Sequence, residues 1–150
     1  MATQYPGTAE ERLALDGYIK LSRASETVAA RINAHLHHYN LTISQFGVLE
    51  AIYHLGPLQP GQLAEKILKS GGNLTLVISN LVKRELVTRQ YREDDRRCID
   101  IHLTPAGQAL IETILPDHVA GVVITMNVLT TTEQEQLAQL CRKLGLGNRG

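Results

Sequence analysis

The spacing of apolar residues changes twice along this chain, and the change restricts the folds that it can adopt. Over most of the sequence, apolar side chains recur every three or four positions, which is typical of amphipathic helices. In residues 87–92 and 98–103 they alternate instead, as they do in half-buried strands. A charged segment, residues 93–97, separates these two runs. The chain is therefore predicted to be mainly α-helical, with one small β-hairpin in its middle.

The first predicted helix runs from about residue 8 to residue 39. Leu21, Val28 and Leu36 recur on one of its faces, as do other apolar residues between them. At about 1.5 Å per residue such a helix is roughly 45 Å long, which is more than a small core can cover. We therefore expect part of its apolar face to be buried against a partner subunit.

Caps and helix breakers divide the next part of the chain into three short helices. Thr42 and Gln45 form a capping box at the start of the second helix. Gly56 and the proline after it stop that helix. The segment 70–72 (Ser-Gly-Gly) is interpreted as a turn or a helix cap, and a fourth helix is predicted from about residue 73 to residue 84.

Two further helices are predicted after the hairpin. The first opens with Thr104-Pro105 and runs to about residue 128, and Pro116 is expected to kink or interrupt it. The last begins behind a capping box of Thr130 and Glu133. The predicted order is thus four helices, a hairpin, a long helix and a final helix.

The net charge of zero hides an uneven distribution of charge. Residues 66–97 contain eight basic and four acidic side chains, whereas the segments on either side carry a net negative charge. Such a local basic patch is typical of a phosphate-binding surface. A solvated charged face explains the same numbers, because a count of charges carries no geometry.

Three compact helices followed by a basic hairpin form a winged helix-turn-helix, an arrangement that suits DNA. A helix fits the major groove, where Asn73 and Asn80 can pair with adenine and Thr75 can contact a thymine methyl group. Lys83 and Arg84 lie where the end of this helix would meet the DNA backbone. At the hairpin tip, guanidinium groups such as that of Arg97 suit the electronegative minor groove.

Three motifs combine at a spacing that is specific to one family. They are residues 70–84, Asp95-Arg96-Arg97 and residues 103–107 (Leu-Thr-Pro-Ala-Gly), and together they resemble the MarR family of bacterial transcriptional regulators. Residues 41–49 and 129–133 also match the family pattern. The resemblance spans about residues 10–145.

The resemblance implies how the chain is organised and what it binds. It implies one domain, residues 1–150, with a winged-helix core at about 40–104 and a helical dimerisation region at about 8–38 and 105–146. Members form homodimers that place a recognition helix in each major groove and a wing in the adjacent minor groove of double-stranded DNA. A palindromic operator is the matching partner. Many members are repressors that small phenolic or other anionic ligands release.

Mapped residue by residue, the resemblance assigns residues 70–84 to the turn and the recognition helix. Arg97 would enter the minor groove, and Asp95 would hold the wing arginines in place. The predicted DNA-binding residues are Ser70, Gly72, Asn73, Thr75, Ser79, Asn80, Lys83, Arg84, Asp95, Arg96 and Arg97. An ordinary polar helix face and ion pairs within the hairpin tip are the alternative interpretation.

One position departs from the family pattern. Glu85 stands where the family usually has glycine, which adopts the left-handed conformation of a helix end without strain. Either Glu85 accepts backbone strain on the order of 1 kcal/mol, or the helix ends in another way. The angle of the wing depends on which of the two occurs.

A small-ligand pocket is a further hypothesis. His35, Tyr39, Tyr53 and His54 could supply polar contacts to an aromatic acid between the first helix, the second helix and the base of the fifth. Packing in the core or in an interface explains each of these side chains as well.

Other function classes find less support in the sequence. An enzyme would need a glycine-rich phosphate loop, a nucleophile elbow or metal-ligand spacing, and none appears. No cofactor or bound metal is expected. The cluster of His35, His37 and His38, together with Cys98 and Cys141, leaves open a metal- or redox-responsive regulator of the same fold. A winged-helix interaction module that does not bind DNA is another alternative.

The chain shows no sign of a membrane or secretory address. No uninterrupted apolar run reaches roughly 18 residues, and no signal peptide is visible at the N-terminus. A cytoplasmic protein without membrane contact is therefore expected.

Overall fold

The computed structural model describes residues 3–67 and 71–147. The elements in chain order are α1 (Ala9–Asn33), a 3₁₀ helix (Ala34–Tyr39), α2 (Ile43–Leu55), α3 (Pro60–Ile67), α4 (Gly71–Lys83), β1 (Val87–Tyr91), β2 (Ile99–Leu103), α5 (Pro105–Met126) and α6 (Thr131–Leu146). The prediction of a mainly α-helical chain with one small hairpin is confirmed.

The first helix differs from the prediction, because it changes type before it ends. The side-chain amide of Asn33 donates back to the carbonyl of Ala29 (2.8 Å), and beyond Asn33 the chain tightens into the 3₁₀ helix. Asn40, the residue after that helix, has a φ of +53°. The carbonyls of His37 and Leu36 in its last turn accept from the Asn40 and Leu41 amides (both 3.2 Å).

The helix ends that the sequence marked with local signals are confirmed. Thr42 and Gln45 form both hydrogen bonds of a capping box at the start of α2, and Gly56 ends that helix with a φ of +83°. Thr130 and Glu133 form the same pair of bonds at the start of α6. These signals succeed because donor and acceptor lie within one turn of each other.

Two other local features differ in part from the prediction. α4 begins at Gly71, so Gly71 and Gly72 belong to the helix and do not form a turn before it, while Ser70 lies outside the described residues. Pro116 lies inside α5, which continues past it, so the helix is not interrupted there. Both Pro116 and Glu112, whose carbonyl loses its partner, are exposed, so water can satisfy that carbonyl.

The hairpin is antiparallel and pairs Val87 with Leu103 and Tyr91 with Ile99. A residue that the sequence did not single out extends this sheet. Leu58, in the turn between α2 and α3, forms a bridge to Ile101 with N–O distances of 2.8 and 3.3 Å. Because both Leu58 and Ile101 are buried, this bridge anchors the base of the hairpin to the helices.

The chain divides into two compact units. One comprises residues 34–118 and contains the helices and the hairpin of the winged helix. Leu36 of the 3₁₀ helix and Ile111 and Ile114 of α5 are buried in its core. The rest of that core is Leu41, Phe46, Val48, Leu49, Ile52, Leu58, Leu63, Leu74, Ile78, Leu81, Leu86, Val87 and Ile101.

The other unit comprises the residues up to Asn33 and from Val119 onwards. Neither α1 nor α6 contains a buried residue. Large apolar side chains are exposed on its helices, namely Leu13, Tyr18, Leu21, Val119, Val123, Ile124, Leu137, Leu140, Leu144 and Leu146. This unit exposes the apolar surface that the long first helix led us to expect.

By length and composition, α5 is apolar enough to cross a membrane. Its apolar sequence is not continuous, because Glu112 and Asp117 interrupt it. A core helix of a soluble protein meets the same two criteria, and the first part of α5 contributes Ile111 and Ile114 to the core.

Candidate nucleic-acid interface

One face of α4 is buried and the opposite face is open. Leu74, Ile78 and Leu81 lie in the core, Val77 and Val82 pack against it, and the polar side chains lie on the opposite side. The predicted contact residues on the outward side include Asn73, Thr75 and Lys83, which are exposed, and Ser79 and Asn80, which are half-buried. The helix therefore presents short polar side chains and one cation to solvent.

Leu76 is an outward residue that the sequence analysis missed. Its side chain is 64% exposed, although leucine usually lies in the core of such a helix. Its position was the available signal, because it does not fit the inner stripe of Leu74, Ile78 and Leu81. In a major groove, an apolar side chain at this place can contact a thymine methyl group.

The end of α4 shows how the departure at Glu85 is accommodated. Glu85 has a φ of +59°, the left-handed conformation that glycine favours. Its amide bonds to Val82 (2.9 Å), and the amide of Leu86 bonds to Leu81 (3.0 Å). These are the two bonds of a Schellman motif, so the helix ends as it would with glycine and Glu85 accepts the strain.

Thr104 and Gly107 hold this strained turn from the far side of the hairpin. The hydroxyl of Thr104 donates to the carbonyl of Glu85 (2.6 Å), and its amide donates to the carbonyl of Leu86 (3.1 Å). A side chain at Gly107 would collide with that Leu86 carbonyl. The motif at residues 103–107 therefore sets where the hairpin leaves and rejoins the helices.

A side-chain hydrogen bond connects the outward face of α4 to the hairpin. The guanidinium of Arg89, on β1, donates to the hydroxyl of Ser79 (3.0 Å). Ser79 was predicted as a DNA contact, and in this structure its hydroxyl accepts from the neighbouring strand. The bond ties the helix and the hairpin into one surface.

The hairpin tip is organised by Asp95. Its carboxylate accepts from the Arg97 amide (3.0 Å) and from the Arg97 guanidinium at Nε (3.1 Å) and Nη2 (3.3 Å). These bonds to Arg97 hold the pKa of Asp95 below its usual range. The Arg97 side chain is nevertheless 91% exposed, so it is oriented at its base and open to solvent.

The other cations of the hairpin are less constrained. Arg96 is exposed. Arg92 lies 3.7 Å from Asp94 and 3.8 Å from Asp100, distances at which exposed ion pairs contribute little. Arg92 and Arg96 can therefore turn towards an anionic partner at small cost.

Arg84 is exposed just after the end of α4, and its guanidinium has partners within the protein. Its guanidinium donates to the carbonyls of Asn40 (2.7 Å) and Tyr39 (3.1 Å), at the end of the 3₁₀ helix. The hydrogen bonds of Arg84 are thus made to the protein itself.

Comparison with known proteins identifies this arrangement. Residues 41–99 match the model of the MarR family. Over 129 residues the chain is 34% identical to the HTH-type transcriptional regulator MhqR of Bacillus subtilis, covering 86% of this chain and 89% of that protein. The chain belongs to the MarR family. It is a DNA-binding transcriptional regulator of the winged-helix type.

Two further relatives extend the comparison of this MarR-family chain. It is 33% identical over 87 residues to the transcriptional repressor MprA of Escherichia coli, which covers 58% of this chain and 49% of that protein. The structure of Bordetella bronchiseptica BpsR, described with regulation of its DNA binding by 6-hydroxynicotinic acid, superposes with a TM-score of 0.81 at 26% identity. That superposition covers 96% of this chain and all of the BpsR chain.

The candidate effector residues of this MarR-family protein make different contacts. The ring of His35 lies tilted against that of His118 of α5, with centroids 5.2 Å apart. Tyr39 and Tyr53 pack against the core. The ring of Tyr53 also meets that of His54 edge-on, with centroids 5.2 Å apart. His54 is exposed and contributes to a surface cavity of about 380 Å³ between α2 and α3.

His118 is the residue of this region that sequence reasoning missed. Its ring also packs on Phe46, with centroids 4.5 Å apart. His118 Nδ1 and His35 Nε2 are buried and have no hydrogen-bond partner among the described residues. Burial lowers the pKa of His118, with a smaller opposing effect of the Glu50 charge. Only the fold could reveal this pair, because the two residues are far apart in sequence.

The remaining candidate sensors are dispersed. Cys98 is half-buried beside Asp95, and Cys141 is exposed on α6. Within residues 3–67 and 71–147, no group of three or more histidine, cysteine or acidic side chains is arranged to hold a metal ion.

Proposed function

We propose that this MarR-family protein is a homodimeric repressor that binds an inverted repeat in double-stranded DNA. In each protomer α4 lies in a major groove and the hairpin tip enters the adjacent minor groove. The observation that carries the proposal is the state of Arg97: Asp95 orients its guanidinium, and yet the side chain is 91% exposed. A guanidinium held in this way suits the negative potential of a narrow minor groove.

The outward residues of α4 supply the sequence readout. Asn73 and Asn80 pair with adenine edges, and Thr75 and Leu76 contact thymine methyl groups. Lys83 contacts a phosphate, as do Ser70 and the backbone amide of Gly72. Arg96 adds positive charge at the tip.

A second copy of the chain covers the apolar side chains of the terminal unit. Within that unit, a groove of about 440 Å³ between α1 and α6 is lined by apolar residues. They are Leu13, Ala14, Gly17, Tyr18, Leu21, Leu137, Leu140, Cys141 and Leu144. Exposed apolar surface of this kind marks an interface, and a two-fold dimer matches a palindromic operator.

The protein acts in the cytoplasm, where its operator is. A small phenolic or anionic ligand relieves the repression. The names of two relatives support this proposal: MprA is a repressor, and DNA binding by BpsR is regulated by an aromatic acid. A ligand acts by favouring a state of the dimer that binds DNA less well.

The test is a selection of duplexes by the full-length protein from a randomised pool. We expect an inverted repeat whose half-sites are separated by about one helical turn. On the selected duplex, Arg97→Ala should weaken binding by about 1–3 kcal/mol. The matched control is Arg142→Ala, which removes an exposed arginine from α6 and should leave the affinity unchanged.

The salt dependence of binding separates this function from the alternative of an interaction module. Contacts to phosphates release counterions, so the affinity must fall steeply as the salt concentration rises. If the protein is monomeric, or has no salt-dependent affinity for any duplex, the proposed function is wrong.

A further inference from the structure

Two helix ends that are distant in sequence meet at one side chain. Arg84 follows the last residue of α4, and its guanidinium reaches the last residue of the 3₁₀ helix and the residue after it, 45 and 44 positions earlier. Nη1 donates to the carbonyl of Asn40 (2.7 Å) and Nη2 to the carbonyl of Tyr39 (3.1 Å). One planar group thus bonds two successive carbonyls.

The acceptors are those that a helix end leaves without partners. The last carbonyls of a helix have no intrahelical donor and carry a partial negative charge. At this end, the amides of Asn40 and Leu41 satisfy the carbonyls of His37 and Leu36. Arg84 bonds the carbonyl of Tyr39, the last residue of this helix, and that of Asn40, the residue after it, and its charge opposes the negative end of the helix. Its forked donors fit this task better than the ammonium of a lysine would.

We propose that Arg84 is a positioning residue that fastens the end of the recognition helix to the 3₁₀ helix, and that it is not a phosphate contact. The inference rests on the proposed role of α4 in the major groove. A guanidinium that leaves these carbonyls for a phosphate would give up two charge-assisted bonds and uncap the 3₁₀ helix. Lys83, its neighbour, is the cation at this helix end that contacts the DNA backbone.

The contact also connects α4 to the part of the fold where the histidine pair lies. The 3₁₀ helix carries His35, whose ring lies tilted against that of His118 of α5. A displacement of the 3₁₀ helix therefore reaches the recognition helix through Arg84. Loss of this contact should lower the DNA affinity of folded protein without removing a counterion-releasing contact.

The experiment compares Arg84→Ala with Lys83→Ala in the full-length protein, on the duplex selected above and over a range of salt concentrations. Lys83→Ala should reduce the slope of log affinity against log salt by about one for each protomer. Arg84→Ala should lower the affinity about tenfold, which is about 1.4 kcal/mol, and leave the slope unchanged. Equal losses of slope in the two variants, or an unchanged affinity in Arg84→Ala, would overturn the proposal.

A second pair of variants tests the same contact from its other side. Asn40 has a φ of +53°, which glycine adopts freely and a β-branched residue does not. Asn40→Val should reproduce the loss of affinity with Arg84 present, and Asn40→Gly should retain wild-type affinity. Because both changes act on one contact, Asn40→Val should add little in the Arg84→Ala background, whereas additive losses would contradict the proposal.

The outcomes also distinguish this inference from the proposed function. If wild-type protein binds no duplex, the proposed function fails. If wild-type protein binds and Arg84→Ala loses slope as Lys83→Ala does, only the positioning role fails.

Discussion

The hydroxyl of Thr104 donates a 2.6 Å hydrogen bond to the carbonyl of Glu85, a residue with left-handed backbone conformation. The bond spans 19 positions and joins the chain just after α4 to the chain just before α5. Both ends of the hairpin are therefore held at one point. The wing keeps its place beside the recognition helix because this point is fixed.

The strain at Glu85 predicts a stabilising substitution. Glu85→Gly should raise the free energy of unfolding by about 1 kcal/mol, because glycine adopts a positive φ without the clash of a Cβ atom. Glu65→Gly, on the exposed face of α3, should lower it by a similar amount, because a helix interior disfavours glycine. Urea unfolding of both variants measures the two signs, and a loss of stability in Glu85→Gly would show that the turn is unstrained.

The close approach of Gly107 to the carbonyl of Leu86 predicts a destabilising substitution. Gly107→Ala places a methyl group against the carbonyl of Leu86, and the repacking that follows should cost about 3 kcal/mol. Gly121 lies in the same helix, where a methyl group would meet no atom of the described residues within 4 Å. Gly121→Ala should therefore stabilise the protein by up to about 1 kcal/mol. Thermal unfolding distinguishes the two, and equal effects would contradict the packing at the base of the wing.

The carboxylates of the hairpin tip provide a matched pair of charge changes. Asp95→Asn loosens Arg97 and should weaken DNA binding, although the change removes a negative charge from the interface. Asp94→Asn removes the same charge from a residue that does not hold Arg97, and should leave binding unchanged or strengthen it. The affinities for one duplex decide between these effects. If both variants bind more tightly, the main effect of Asp95 is repulsion between its charge and the DNA, and its orientation of Arg97 matters less.

The environment of His118 predicts how stability depends on pH. Its pKa is lowered in the folded protein from 6.5, so below this value the unfolded chain binds more protons than the folded one. The contribution of His118 to stability is therefore present above pH 6.5 and is lost as the pH falls towards the lowered pKa.

Variants of two histidines test this dependence by urea unfolding above and below pH 6.5. His118→Gln should flatten the decline of stability with acidification. The control is His37→Gln, which removes an exposed histidine from the 3₁₀ helix and should leave the slope as it is in wild type. An unchanged slope in His118→Gln would assign the acid sensitivity to other groups.

Much of the fold was predictable because its signals are local. The capping boxes of Thr42 and Thr130 join groups three residues apart, and the alternation before and after residues 93–97 marks a hairpin that needs only its own two strands. The motif of residues 103–107 was recognised as a pattern, but its physical role emerged only from the structure. Thr104 and Gly107 act on the carbonyls of Glu85 and Leu86.

The candidate site was predictable as a set of outward residues, and their roles on DNA stay predictions. Sequence periodicity separates Leu74 and Ile78 from the polar face of α4, but it could not show that Ser79 accepts from Arg89. Nor could a count of cations show that Arg84 bonds the protein backbone.

The order of amino acids alone determined the helices, the hairpin and the family, because periodicity, caps and motif spacing act over a few residues of chain. Only the tertiary structure decided which distant groups meet. The Arg84 guanidinium bonds carbonyls at the end of the 3₁₀ helix, the backbone of Ile101 bonds that of Leu58, and the ring of His118 contacts that of His35. The reason is that these partners lie far apart along the chain, and burial of the common core brings them within contact distance.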